Sequence, residues 1–352
     1  MAHGIGHRAH NLARVTATRY DPGPAELGNL LAGEPRYRVD QLVQGLYLEG
    51  RDPRDITTLP AALRERLAAA LPPALTTVRE SLADGGETVK WLFRLSDGQL
   101  VETVLMHHER WSTVCVSSQA GCAMGCGFCA TGQAGFDRHL TTGEIVEQVI
   151  RARRAATAHD RRLSRVVFMG MGEPLANYEP TWTAVERLHE LLGLSARHVT
   201  ISTVGVVPGI RRLAREALPV NLAVSLHAAN DALRDELVPI NRRYPLADLV
   251  AACEEWIAAH HRRLSFEWAL IAGTNDRRSD AHELARLARQ LRAHVNLIPL
   301  NPTAGFGVPG TRLRGIRAFR DRLREQGVNA TVRRTRGTDI DAACGQLRAT
   351  SA

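Results

Sequence analysis

From Val114 onward, short apolar runs alternate with longer amphipathic stretches, and this alternation constrains the fold more than any other feature of the chain. Val114–Ser118, Arg165–Met169, His198–Thr203, Asn221–Leu226, Leu264–Ile271 and Val295–Pro299 read as strands. Helical patterns lie between them. One opens at the capping box Thr141-x-x-Glu144, and one runs from Pro180 to near Gly193. Others span Pro208–Ala217, Leu246–His260, Asp280–Ala293 and Arg312–Gln326, the last leading to a strand over Val328–Arg333. Strands joined through helices run parallel. Six of them predict an α/β fold, an open, partial (β/α)6 barrel whose active site lies at the C-terminal strand ends.

The segment before Val114 reads differently. Residues 1–23 are expected to form a flexible tail. Residues 24–86 are expected to form a small helical accessory domain. Its stripe Val39, Leu42, Val43, Leu46 and Tyr47 marks one helix, and Leu59–Leu71, closed by Pro72-Pro73, marks another. Thr88–Leu95 and Leu100–Met106 flank Ser96-Asp97-Gly98, so a β-hairpin is expected to extend the barrel unit, residues 87–348. On that hairpin Glu102 shares a face with Leu100, Val104 and Met106, so it is either an exposed edge-strand glutamate or one in an apolar setting expected to disfavour its charged form.

Composition excludes several classes. No apolar run approaches the ~18 residues of a membrane span. Met1–Tyr20 is polar and rich in His and Arg, with no apolar signal region, so a cytoplasmic protein without membrane contact is expected. Six cysteines without such a signal argue against a disulfide framework. Net charge is +8, which suits a polyanionic partner. Lys90 is the one lysine among 45 basic residues, and arginine suits the forked recognition of phosphate.

The chemistry centres on Cys122-Ala-Met-Gly-Cys126-Gly-Phe-Cys129, directly after the first barrel strand. Gly121, Gly125 and Gly127 let the backbone wrap so that three thiolates face one centre. A closed zinc site wants four protein ligands, and no fourth Cys or His lies nearby in sequence. A cubane iron–sulfur cluster with three cysteine ligands instead leaves one iron open for catalysis. A zinc knuckle with a distant ligand, or three buried thiols, are the plainer alternatives. Further polar signals sit at the other strand ends: Gly170-Met171-Gly172-Glu173-Pro174, Ser202, Ser225-Leu226-His227 and Asn301-Pro302. Each alone has a dull explanation as a turn, a strand-end hydroxyl or a core histidine. Their convergence on one rim points to a site. Cys253, on a helix with Val250 and Ile257, reads as core.

The cysteine spacing is that of the radical S-adenosylmethionine (SAM) enzymes, and the chain closely resembles the RlmN-type dual-specificity RNA methyltransferases. The resemblance is carried by Cys115-Val-Ser-Ser-Gln-Ala-Gly-Cys122, the cysteine loop and Gly170-Met-Gly-Glu-Pro-Leu175. Ser202-Thr-Val-Gly-Val-Val-Pro208, Ser225-Leu-His-Ala228, Leu297-Ile-Pro-Leu-Asn-Pro302 and the stretch Arg336 to Leu347 extend it. It implies that Cys122, Cys126 and Cys129 ligate a [4Fe-4S] cluster. It implies that Gly172 and Glu173 hold the SAM ammonium, while Ser202, Ser225, Leu226, His227 and Asn301 line the rest of the SAM site. Val204 stands where some relatives have a second serine.

The implied substrates are 23S rRNA, at the peptidyl transferase centre, and tRNA, at the adenosine 3′ of the anticodon, both at adenine C2. That carbon is electron-poor and will not attack a SAM methyl, so a radical route is needed. The resemblance further implies that Cys344 carries a methyl group that becomes a thioether to the RNA. Cys115 then releases the product through a transient Cys115–Cys344 disulfide. Glu102 is the implied acceptor of the C2 proton, with Cys115 as the competing assignment. An electron donor such as a flavodoxin-type protein is implied, and a monomer is expected. Arg333, Arg334 and Arg336 lie near Cys344 in sequence, where they are expected to lower its pKa and to bind RNA phosphate. Arg151, Arg153, Arg154, Arg161, Arg162 and Arg165 are a second candidate RNA surface, or a solvated helix face. The rival functions are methylation of adenine C8 by related chemistry and non-catalytic RNA binding around a structural cluster.

Overall fold

The computed structural model describes residues 17–349. Its strands are β1 (Thr76–Ala83), β2 (Thr88–Arg94), β3 (Leu100–His107), β4 (Trp111–Cys115), β5 (Gln119–Gly121), β6 (Phe136–His139), β7 (Arg162–Phe168), β8 (Val199–Thr203), β9 (Asn221–Ser225), β10 (Ser265–Leu270), β11 (His294–Pro299) and β12 (Ala330–Val332). Ten form one sheet in the order β1-β2-β3-β4-β7-β8-β9-β10-β11-β12, and β5 pairs with β6 in a separate ribbon. The joints β1–β2, β2–β3 and β3–β4 are antiparallel. Every joint from β4 to β12 is parallel.

The helices are α1 (Pro24–Leu30), α2 (Tyr37–Val43), α3 (Ala61–Ala70), α4 (Ala130–Ala134), α5 (Thr142–Ala158), α6 (Tyr178–Glu190), α7 (Val207–Leu213), α8 (Asp231–Leu237), α9 (Leu246–His260), α10 (Arg278–Gln290) and α11 (Leu313–Glu325). The crossovers from α5 to α11 cover one face of the parallel sheet. That makes the α/β partial barrel expected from the alternation, with β12 as an added edge strand.

The two faces of this sheet differ sharply. Val114, Val166, Ile201, Leu222, Phe266, Val295 and Leu297 share the helix-covered face through the strand registers, and all are buried. Trp268, on the same face, stacks on Phe319 of α11 at 6.1 Å and donates its indole N–H to Asn275 O at 3.2 Å. Truncating a side chain of this size in a sealed core costs about 3–5 kcal/mol. The opposite face carries Cys115, Val167 and Thr200 in one row, and Ser202, Ala223 and Ser265 in another. Ser225, Glu267 and Asn296 form a third. Small and polar residues there leave the barrel interior open for chemistry.

Two boundaries depart from expectation. Residues 1–16 of the expected tail lie outside the described residues, but its last part is anchored. Thr18, Arg19 and Tyr20 are buried, Arg19 N–H donates to Pro72 O at 2.8 Å, and Tyr20 packs edge-on against Tyr47 at 5.3 Å. Asp21 Oδ1 accepts from Gly143 N–H at 2.7 Å, so this stretch ties the helical unit to the start of α5. The helical unit also ends before residue 86, because β1 belongs to the sheet.

Candidate active site

The cysteine loop is held at its base by the β5–β6 ribbon. Gly121 has φ +76°, and a Cβ there would meet Gly135 O at 2.1 Å, so only glycine fits. Arg138 of β6 donates to both carboxylate oxygens of Glu144 at 2.7 and 2.8 Å. Glu144 in turn closes the capping box with Thr141 at the start of α5. Cys122, Cys126 and Cys129 line a cavity of ≈ 1030 Å³, its mouth included, at the C-terminal ends of the strands. Burial pushes the Cys122 thiol up to about 12 and raises Cys126 as well. Buried thiols of this kind ionise readily only when a metal takes the charge.

The donor set fits an iron–sulfur cluster. Zn–S bonds of about 2.3 Å would draw thiolates within about 4 Å of each other. Among the described residues, no three His, Cys, Asp or Glu side chains are placed to hold a single ion. A four-iron cubane spreads its thiolates further apart, and three cysteines leave it one open position.

The other rim residues converge on the same cavity. Gly172, at φ +98°, brings its backbone against Gln119, whose side-chain oxygen accepts from Glu173 N–H at 2.8 Å. Glu173 is buried. Its two oxygens accept from Leu175 N–H at 3.0 Å and Val204 N–H at 2.9 Å. Burial nevertheless pushes its carboxyl up to about 7. Ser202 and Ser225 face each other across adjacent strands, Oγ to Oγ 3.5 Å. His227 sits at φ +58° and accepts through Nδ1 from Ala269 N–H at 3.0 Å. Burial and the nearby Arg234 hold it down at about 3, so it is a neutral imidazole. Leu226 differs from expectation. Its side chain packs in the hydrophobic core instead of lining the cavity.

Cys344 lies on the wall between this cavity and a second one of ≈ 520 Å³. Cys115, Met106 and Arg336 line the second cavity, whereas Cys344, Arg333, Asn301 and Met169 line both. The segment that carries Cys344 is strapped down at several points. Asn301 Nδ2 donates to Cys344 O at 3.0 Å, Ala130 N–H to Gly345 O at 2.8 Å, and Thr131 Oγ1 to Leu347 O at 2.6 Å. Cys344 is accessible to solvent yet deep within the protein. The enclosing cavity walls push its pKa up, and Arg333 pulls it down, as the neighbouring arginines lead one to expect. Burial also pushes Cys115 up to about 12, with the Cys344 thiol adding to it and Arg333 opposing. Cys253 is buried in the core, as its helix position predicts.

Glu102 is buried but lines neither cavity. Lys90, the one lysine, pairs with its Oε1 at 2.9 Å, and Arg348 N–H donates to its Oε2 at 2.9 Å. Lys90 Nζ also donates to Asp341 O at 3.1 Å. The pair therefore clamps both sides of the Cys344 segment to the hairpin.

Several arginines serve other ends than those expected. Arg333 points into the cavity wall instead of outward. Arg151 pairs with Glu147 at 2.7 Å, and Arg153 and Arg154 donate to Tyr47 O and Gly50 O, joining α5 to the helical unit. Sequence reasoning missed Glu267 and Arg234. Glu267 faces the first cavity and accepts from Asn296 Nδ2 at 2.7 Å. Its place on the polar face of β10, in phase with Ser265, is the signal that could have found it. Arg234 is fully buried and donates to Leu226 O at 3.1 Å and Val204 O at 2.5 Å, fixing two strand ends. Nothing in its helical sequence context marks it.

Residues 116–291 match the radical SAM superfamily. A "Probable dual-specificity RNA methyltransferase RlmN" from Parafrankia sp. (strain EAN1pec) is 53% identical over 335 residues, covering 90% of this chain and 87% of that protein. The "Dual-specificity RNA methyltransferase RlmN 1" of Myxococcus xanthus (strain DK1622) is 50% identical over 349 residues, covering 96% and 95%. The crystal structure of a radical SAM methyltransferase from Sphaerobacter thermophilus superposes with a TM-score of 0.93 at 52% identity, covering 95% of this chain and all of that one.

Proposed function

The chain belongs to the RlmN family of radical SAM RNA methyltransferases, and we propose that it methylates C2 of adenine in 23S rRNA, at the peptidyl transferase centre, and in tRNA, at the adenosine 3′ of the anticodon. The observation that carries this reading is the position of Cys344 on the wall shared by two cavities, one holding the cysteine loop and the other Cys115. RNA binding alone needs no such pair of thiols.

Cys122, Cys126 and Cys129 would hold a four-iron cluster. Glu173 would take the SAM ammonium, with Gly172, Ser202, Ser225, His227 and Asn301 around the rest of the molecule. When bound and reduced by an external donor of the flavodoxin type, this pair supplies a one-electron cleavage of SAM that yields a 5′-deoxyadenosyl radical. The protein's own tasks are positional. His227 stays neutral and adds no charge to the site. Cys344 Sγ carries the methyl group at the cavity wall; that methyl would lose one hydrogen atom to the 5′-deoxyadenosyl radical and join adenine C2 as a methylene bridge, the C2 proton passing to a base and the remaining electron to the cluster that Cys122, Cys126 and Cys129 would hold. Cys115 Sγ attacks Cys344 Sγ as it gives up its proton. The sulfur–carbon bond breaks with its electron pair going to the methylene carbon, which gains a proton and becomes the product methyl. A Cys115–Cys344 disulfide is left behind. The C2 proton has two candidate acceptors. Cys115 lines the second cavity with Cys344, whereas both oxygens of Glu102 are engaged, so the placement favours Cys115.

The test is a pair of mutants treated anaerobically with SAM, reductant and RNA. Cys115→Ala should accumulate a covalent protein–RNA complex through Cys344, visible on a denaturing gel and by peptide mass mapping. Cys344→Ala should form none. Normal turnover in Cys115→Ala, or an adduct in Cys344→Ala, contradicts the assignment.

A further inference from the structure

The face of the sheet that carries Cys115 continues beyond the second cavity. Cys115 pairs in register with Val104 and Val167, and Thr113 pairs with Met106 and Arg165. Side chains repeat on one face every two residues, about 7 Å apart. Arg165 therefore lies one row from Cys115, and Trp111 and His108 lie two rows from it. There they form a stack. The His108 ring lies on Trp111 with centroids 3.8 Å apart and planes 20° apart, and the Arg165 guanidinium lies 4.3 Å from the Trp111 ring centre. Arg336 lines the second cavity and donates to His107 O, so it borders the same strip. Arg161 nearby is paired with Glu87 at 2.9 Å. Arg165 is exposed, and neither it nor Arg336 has a carboxylate partner among the described residues.

We propose that this His108–Trp111–Arg165 strip, bordered by Arg336, is where the nucleotides flanking the target base lie. A base stacks on the outer face of His108, and phosphates meet the Arg165 and Arg336 guanidinium groups. The inference rests on the RNA-methyltransferase reading and adds the docking surface to it. Single-stranded RNA is recognised by planes that accept any base face, backed by fixed cations, and this strip supplies both. Trp111 holds the two planes stacked, so little side-chain freedom remains to be lost on binding. The strip begins one row, about 7 Å, from Cys115, so the neighbours of a base turned out of its stack toward the two cysteines would meet it.

The test uses the reconstituted holoenzyme under anaerobic conditions, a labelled tRNA and a salt series. Its variants are His108→Ala combined with Arg165→Gln, and Arg289→Glu as a charge control on the exposed side of α10. The double variant should bind the tRNA about tenfold more weakly than the control, at an unchanged unfolding midpoint. Its salt dependence should be shallower by about one phosphate contact. Equal affinity and salt slope in the double variant and the control would overturn the strip while leaving the enzyme reading intact. No binding of tRNA by the wild-type holoenzyme would overturn both.

Discussion

Glu173 shows how one residue's burial sets a measurable pH dependence. An exposed glutamate has a pKa of 4.5, and burial lifts this one to about 7 against the N–H donors of Val204 and Leu175, which favour its charge. Between those values the folded chain holds a proton that the unfolded chain has lost. Its contribution to stability is therefore greatest at low pH and declines as pH rises through about 7. A bound SAM ammonium reverses the preference, because it pairs with the ionised form. SAM affinity should thus rise with pH up to about 7 and then level off, with proton release below that point. Glu173→Gln should flatten the profile and weaken binding by about 10–100-fold, the worth of a charge-assisted hydrogen bond. Calorimetry in two buffers of different ionisation enthalpy reads both effects. Wild-type affinity and slope in the mutant would remove Glu173 from the SAM site. The motif Gly172-Glu173 was legible in the sequence, but this pKa was not. It depends on how deeply the fold buries the carboxylate, which outweighs the N–H donors of Val204 and Leu175.

The strap that carries Cys344 is an element whose hydrogen bonds to Asn301, Ala130 and Thr131 are joined by one buried ion pair, Lys90 with Glu102. Glu102→Gln leaves Lys90 buried without a counter-charge, which costs about 3–5 kcal/mol. It should also loosen the segment that Lys90 and Glu102 hold through Asp341 O and Arg348 N–H. Faster hydrogen exchange over residues 337–349, with a lowered urea midpoint, is the expected result. The apolar double variant Lys90→Met with Glu102→Leu should recover much of the global stability. A Glu102→Gln protein that is inactive yet shows native exchange in the strap would instead support a proton-transfer role. Sequence reasoning saw the hairpin, the capping box and every parallel strand, since each has a local signature of period or cap. It missed β1, whose residues are largely exposed and carry no clean alternation. It also missed the β5–β6 ribbon, which is set by the glycine approach at Gly121 and not by propensity. The pairing of Lys90 with Glu102 depends on the offset between β2 and β3, which no local pattern reports.

At the scale of the whole molecule, the chain divides its work by face. Helices seal the apolar side of the sheet, and the polar side holds two cavities joined at Cys344. The helical unit before β1 is locked to α5 and α6 by Asp21, Arg151, Arg154 and Arg187. Many arginines that look like an RNA surface in the sequence are thus internal fasteners. The cysteines and rim residues were legible because they sit in motifs at strand ends. Arg333 and Glu267 were not, because only the strand register decides that they face the interior. No helix among the described residues is long and apolar enough to cross a membrane. The central claim is that this arrangement places a methyl group on adenine C2. It is tested most directly by mass spectrometry of nucleosides from 23S rRNA and tRNA, after anaerobic reaction with SAM and a reductant. The account predicts 2-methyladenosine in both RNAs, absent with Cys344→Ala. Methylation at C8 instead, or no new methyl group on either RNA, would contradict it.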